Sequence, residues 1–254
     1  MSEVNHDDLL NVDNIHTFIG QFHILEGVSV RVKKGSITVM LGRNGAGKTT
    51  TLKSIIGLTP PREGKIIFDG MEIQGKRPYN IANLGIGYVP EHRAIFRQLS
   101  VLENLKLAER KKGDFERSSE FIFKLFPDLK RLYKLPGNHL SGGQQQMLAV
   151  ARALVPENKL LLIDEPSEGL APILIQQMME AIETLSHTTT ILLVEQNFIM
   201  ASQLAKQYVI IDDGKSVSSG SIKDLVLQPE VIHRYLGASI KTRKELEMEH
   251  GSEE

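Results

Sequence analysis

The β-branched and apolar run Ser36-Ile37-Thr38-Val39-Met40-Leu41 leads without a break into Gly42-Arg43-Asn44-Gly45-Ala46-Gly47-Lys48-Thr49, and Thr50–Leu58 then reads as a helix. No other stretch limits the fold so strongly. A continuous apolar run suits a strand buried on both faces, which belongs to a parallel sheet. The glycines let the backbone curl with its N–H groups turned inward, and the helix that follows adds its positive end. Lys48 brings a point charge and Thr49 a hydroxyl suited to a hard cation such as Mg²⁺. All eight positions fall in register between a strand and a helix, which is the context of a phosphate-binding P-loop rather than of an ordinary glycine-rich turn.

The rest of the chain supplies the alternation that a parallel sheet requires. Ile24–Val32 alternates as a strand, and Lys65–Phe68 and Met71–Ile73 flank the hairpin signal Asp69-Gly70. Short strands are expected at Ile86–Val89, Lys159–Ile163, Ile191–Val194 and Tyr208–Ile211, with helices at Ile173–Leu185 and Phe198–Leu204. Between about Ser100 and Tyr133 the pattern is helical throughout, which makes this region an insert in the sheet. Arg110-Lys111-Lys112 reads as a solvated helix end, and Met147, Met178, Met179 and Met200 as core or helix contacts.

Composition narrows the function classes. A formal net charge of −1 over 254 residues gives no general affinity for nucleic acid. With no Cys, disulfides and thiolate metal sites are ruled out, and the His spacing fits no metal motif. No apolar run approaches the roughly 20 residues of a membrane span. The start, Met1-Ser2-Glu3-Val4-Asn5-His6-Asp7-Asp8, is polar and acidic, unlike a signal peptide. A membrane role therefore has to come through a partner.

Two further motifs join the P-loop. Lys159-Leu160-Leu161-Leu162-Ile163-Asp164-Glu165 is a buried strand ending in two carboxylates, and ligands of parallel sheets collect at such ends. Asp164 is suited to the Mg²⁺ shell and Glu165 to polarising an attacking water. Leu140-Ser141-Gly142-Gly143-Gln144-Gln145-Gln146 opens another helix with a serine and two glycines. It reads either as a second anion site or as an N-cap at Ser141. One triphosphate with two sites in one chain makes sense if two chains share each nucleotide.

The P-loop, LSGGQ and the acidic strand, in this order, resemble the ATP-binding subunit of ABC transporters from about Val12 to Gly237. The resemblance implies an α/β fold: a P-loop NTPase (RecA-like) parallel-sheet core with an N-terminal antiparallel β subdomain and an inserted α-helical subdomain. It divides the chain into a core of about 12–89 and 153–237, an insert of about 90–152, and a charged, frayed or disordered tail at 238–254. It implies ATP and Mg²⁺ as ligands. Gly42, Arg43, Asn44, Gly45, Ala46, Gly47, Lys48, Thr49 and Thr50 hold the nucleotide of one chain. Ser141, Gly142, Gly143 and Gln144 meet the nucleotide of its neighbour. Glu165, Lys48 and Gln196 act in hydrolysis, with Thr49, Glu91 and Asp164 around the metal.

Three departures from the general pattern are similar to the shorter ATPase of branched-chain amino-acid uptake systems: Glu91 for the usual lid Gln, Glu168-Gly169-Leu170-Ala171 after the acidic strand, and Gln196 for the usual switch His. They imply permease subunits, a second ATPase subunit in a homo- or heterodimer, indirectly a substrate-binding protein, and a peripheral place on the cytoplasmic face of the inner (cell) membrane. Other cargoes (urea, amides, lipid export) and a low-turnover regulatory subunit stay as alternatives. The family's adenine aromatic falls at Ile19, with Phe18 and Phe22 beside it. Either ring can stack on the base or pack into the core. Ile95, Phe96 and Leu99 are expected either to dock on a permease or to pack internally.

Overall fold

The computed structural model describes residues 7–237. The tail expected to fray, 238–254, lies outside the described residues. Four strands form an antiparallel sheet: β1 (Asp8–Ile19), β2 (Phe22–Lys33), β4 (Glu63–Phe68) and β5 (Met71–Glu72), in the order β2-β1-β4-β5. Strand β1 precedes everything that periodicity picks out. Asn14 takes φ 47° and the register slips between Val12 and Ile15, so the two-residue alternation breaks in mid-strand.

Six strands form the second sheet: β3 (Ile37–Leu41), β6 (Ile86–Val89), β7 (Leu160–Asp164), β8 (Thr190–Val194), β9 (Gln207–Asp212) and β10 (Lys215–Ser221). Their order is β10-β9-β3-β8-β7-β6, and all pair in parallel except β10, which turns back on β9. The central strands β3, β7 and β8 are buried along their whole length. Alternate residues feed two cores. Val39, Leu161, Ile163 and Leu193 join the helices on one face, and Met40, Leu160, Leu162 and Leu192 join the antiparallel sheet on the other. At about 25 cal/mol per Å² of apolar area, each such Leu or Ile contributes roughly 1.5–3 kcal/mol. Both faces must therefore stay covered.

Helix α1 (Lys48–Ile55) packs between the two sheets and begins two residues earlier than its apolar pattern suggests, because Gly47 is its N-cap. A short α2 (Pro78–Asn83) follows β5. Between β6 and β7 the chain forms α3 (Val101–Lys106), α4 (Asp114–Leu125), α5 (Pro127–Arg131), a 3-10 turn (Gly137–His139) and α6 (Gly142–Ala153). The helical pattern over 100–133 is thus several pieces, broken where Gly113 adopts a left-handed conformation and where Pro127 starts a new turn. Arg110 is not a solvated helix end. Its guanidinium is half-buried and donates to the Ile86 carbonyl and to Asn158 Oδ1, both at 2.9 Å, tying the insert to β6. After β7 come α7 (Pro172–Ser186), α8 (Phe198–Leu204), α9 (Ile222–Val226) and α10 (Pro229–Leu236). Among the described residues no helix is long and apolar enough to cross a membrane.

Candidate functional site

The site lies at the C-terminal ends of β3 and β7. β3 hands the chain to Gly42, where the Ile211 carbonyl of β9 occupies the place of a Cβ and φ is 153°. A side chain there would force the loop off β9. The loop then turns through an Ala46 N–H to Arg43 carbonyl bond of 3.2 Å into α1. Asn44, Gly45, Gly47, Lys48, Thr49 and Thr50 line a cavity of about 280 Å³ together with Ile24, Glu91, Glu165 and Glu168. Gly42, Arg43 and Ala46 shape the turn behind it.

Lys48 is 4% exposed and its Nζ reaches three oxygens: the Gly42 carbonyl at 2.9 Å, the Arg43 carbonyl at 3.1 Å and Glu165 Oε1 at 3.1 Å. Glu165 follows β7 with φ 45°, a conformation that non-glycine residues adopt rarely. Its N–H donates to the Val194 carbonyl at 3.0 Å, so β8 holds that backbone in place. Asp164 is fully buried and accepts from Thr49 Oγ1 at 3.2 Å and from the Tyr88 hydroxyl at 3.3 Å. Burial pushes its carboxyl up to about 6; the Thr49 bond lowers it, and the nearby Glu165 and Glu91 carboxylates raise it. The same burial and the Asp164 charge push the Tyr88 hydroxyl well above the usual phenol range.

Hard oxygen donors are what Mg²⁺ takes, and Mg²⁺ keeps waters and substrate phosphates in its shell. Thr49 and Asp164 offer two such oxygens 3.2 Å apart, and no cluster of three or more His, Cys, Asp or Glu that could cage a metal exists among the described residues. The donor set therefore fits a metal shared with phosphate.

Helix α6 begins with a capping box. Ser141 Oγ accepts from the Gln144 N–H at 3.3 Å, and the Ser141 N–H donates to Gln144 Oε1 at 3.0 Å. Gly143 lies against Leu174 of α7, with no room for a side chain between them. Arg93 brings its guanidinium beside Gly142. None of Ser141, Gly142, Gly143 and Gln144 lines the P-loop cavity of its own chain.

Two expected site residues stand differently. Phe18 is not free to stack on a base: the His23 ring lies parallel to it at 4.1 Å and the Arg62 guanidinium sits over it at 4.2 Å. Two groups that close to one centroid must occupy opposite faces, so both are covered. Phe22, at 65% exposure, and Ile19, at 50%, are the open apolar groups of that hairpin. Gln196 is exposed and does not line the cavity, whereas its neighbour Glu195 is buried.

Tyr88, Arg93 and Glu195 were not singled out by motif reading. Glu195 carried a signal, since it ends an apolar strand as Asp164 does. Tyr88 and Arg93 carried none, because their partners are distant in sequence.

A family model described as ABC transporter matches residues 25–168. Over 232 residues the chain is 41% identical to the high-affinity branched-chain amino acid transport ATP-binding protein BraG of Pseudomonas aeruginosa, covering 90% of this chain and 100% of that one. It is 36% identical to the probable branched-chain amino acid transport ATP-binding protein LivF of Archaeoglobus fulgidus, covering 81% and 89%. Among solved structures, an ATP-binding cassette of an ABC transporter in its ADP conformation superposes with a TM-score of 0.79 at 26% identity, over 91% of this chain and 99% of that one.

Proposed function

This chain belongs to the ABC transporter family and is an ATPase of that family, and from that premise we propose that it is the motor subunit of an importer for branched-chain amino acids. The cluster Lys48, Thr49, Asp164 and Glu165 carries the reading of the site. ATP phosphates compete with Glu165 for Lys48 Nζ. When they win, Lys48 offsets their charge and the Glu165 carboxylate is freed to orient a water in line with the γ-phosphate and to accept its proton. Asn44, Gly45 and Gly47 bring backbone N–H groups against the phosphates. Thr49, Asp164 and, at the cavity wall, Glu91 would hold Mg²⁺. When bound, that ion neutralises charge on the phosphate oxygens. Gln196 is reserved for contact with the γ-phosphate once the loops close.

Ser141, Gly142, Gly143 and Gln144 are proposed to serve the nucleotide of a second ATPase subunit, since they stand apart from the cavity of their own chain. That subunit is either another copy or a second ATPase chain. In this reading the core is about 12–89 and 153–237, the insert about 90–152, and the dimer works on permease subunits fed by a substrate-binding protein at the cytoplasmic face of the cell membrane. The cargo reading is supported by the branched-chain amino acid transport ATP-binding proteins to which this chain is 41% and 36% identical.

Phosphate release from Mg-ATP by the purified chain tests the motor. Glu165→Gln should lower it by about 100-fold or more, the usual reach of a lost general base, while ATP binding persists. Unchanged release would remove Glu165 from the chemistry. Vesicles rebuilt with the permease and binding protein should take up leucine, isoleucine or valine in an ATP-dependent way. Uptake of urea but not of these would change the cargo.

A further inference from the structure

Glu195 is 1% exposed at the end of β8. Its Oε1 accepts from the Ser167 N–H at 3.2 Å, and its Oε2 accepts from the Ser167 hydroxyl at 2.9 Å and from the Asn197 N–H at 3.3 Å. All three partners are neutral donors, and no Lys, Arg or His lies within ion-pair distance among the described residues. A buried carboxylate without a counter-charge is costly, and a chain selected for stability alone would replace it. What it gains is a bridge between two loops. Ser167 lies two residues beyond Glu165, and Glu168 next to it lines both the P-loop cavity and a neighbouring cavity of about 410 Å³ along the 91–97 loop. On the other side of the bridge stands Gln196. The backbone of Glu195 is itself anchored, its N–H donating to the Met40 carbonyl of β3 at 3.2 Å.

We infer that Glu195 is a positioning residue for hydrolysis, whose carboxylate clamps the 165–169 turn to the 195–197 loop so that Glu165 and Gln196 are presented to the γ-phosphate as one unit. The inference rests on the proposed roles of Glu165 and Gln196. Only a carboxylate suits the clamp. A glutamine of the same shape turns an N–H₂ toward one of three donors, so it loses an acceptor and sets donor against donor. The anion also strengthens each bond it accepts. Burial raises the Glu195 carboxyl to about 7, the Glu165 carboxylate adding to the rise and the Ser167 and Asn197 bonds opposing it, so the carboxylate that makes the clamp predominates at about pH 8, where the variants are compared.

The full chain is tested as wild type, Glu195→Gln, Ser167→Ala and the double variant. Amide hydrogen exchange, without nucleotide, should quicken about tenfold or more in the segments 165–171 and 195–199 of Glu195→Gln and stay unchanged in α7 and β3. Phosphate release should lose about tenfold in kcat with KM within about twofold, because misplacement of Glu165 costs turnover rather than binding. In the double variant Ser167→Ala should add less than about twofold to the loss, since both changes break one clamp. Exchange and kcat within about twofold of wild type, a loss carried by KM, or fully multiplicative effects would each overturn the inference. Should Glu195→Gln not fold, Ser167→Ala alone must still quicken exchange in both segments and lower kcat by about threefold. A wild type that releases no phosphate would defeat the hydrolysis reading, and the exchange arm would then decide the clamp by itself.

Discussion

Lys48 binds three oxygens, and only one of them is ionised. That set explains why the P-loop can hold a nearly buried ammonium before phosphate arrives: two carbonyls from the loop's own turn solvate it, and Glu165 balances its charge. Phe18 shows the opposite case, a ring whose faces are both taken. Phe18→Ala should therefore change ATP affinity by less than about twofold, whereas a base stacked on Phe22 would cost tenfold or more in Phe22→Ala. Titration with a fluorescent ATP analogue separates the two. The buried carboxyls also set the pH response of the folded chain. Asp164 and Glu195 are raised to about 6 and about 7 from ordinary values of 3.8 and 4.5. The folded state then binds these protons more tightly than the unfolded one. Their contribution to stability is complete below pH about 4 and is lost as the pH rises through about 6 and 7. The lowered carboxyls Asp69 and Asp114 act in the opposite sense, at lower pH. Without nucleotide, the melting temperature should fall between pH 5 and 7.5, and less steeply in Glu195→Gln; a rising curve would contradict the sign.

Among the elements, α6 ties the site to the insert. Its first turn is closed by the capping box at Ser141, and near its last turn Arg152 donates to the Ala94 carbonyl and lies 4.8 Å over the Phe96 ring. Phe96 is thus an internal contact as well as an exposed one, at 47%. The loop before α3 is held by Asn104, which is fully buried, accepts from the Phe96 N–H and donates to the carbonyls of Phe96, Leu99 and Ser100. Asn104→Ala leaves these groups without their partner and should cost about 2–4 kcal/mol in urea unfolding. A loss below about 0.5 kcal/mol would mean that water replaces the side chain. Strands β3, β6, β7 and β8 were legible because burial on both faces leaves an apolar run. Strand β1 was not, because its bulge at Asn14 breaks the alternation, and the insert's helices were blurred together because Gly113 and Pro127 interrupt a pattern whose apolar spacing hardly changes.

For the whole molecule, the P-loop and the proposed second anion site at Ser141–Gln144 do not share a cavity, and a second ATPase subunit is the proposed remedy. Glu165→Gln should slow hydrolysis of the nucleotide proposed to be shared. With Mg-ATP it should run in light scattering at about twice the 28.4 kDa of the chain. Ser141→Arg added to it should restore the single mass without weakening ATP binding. A single mass for Glu165→Gln under saturating ATP would place the partner site on a different chain.

The sequence by itself determined the P-loop, the acidic end of β7, the α6 start and hence the family, because each is a contiguous pattern of residue types that spacing along the chain reveals. Tertiary structure alone decided what meets across the chain. It brought Tyr88 to Asp164, Arg93 to Gly142, Arg62 and His23 to the faces of Phe18, and Glu195 to Ser167. Those contacts depend on strand order and on which face each residue turns to, and no spacing along the chain encodes either. The three motifs together therefore indicated the kind of machine, and the packing around them decided which side chains are free to do its work.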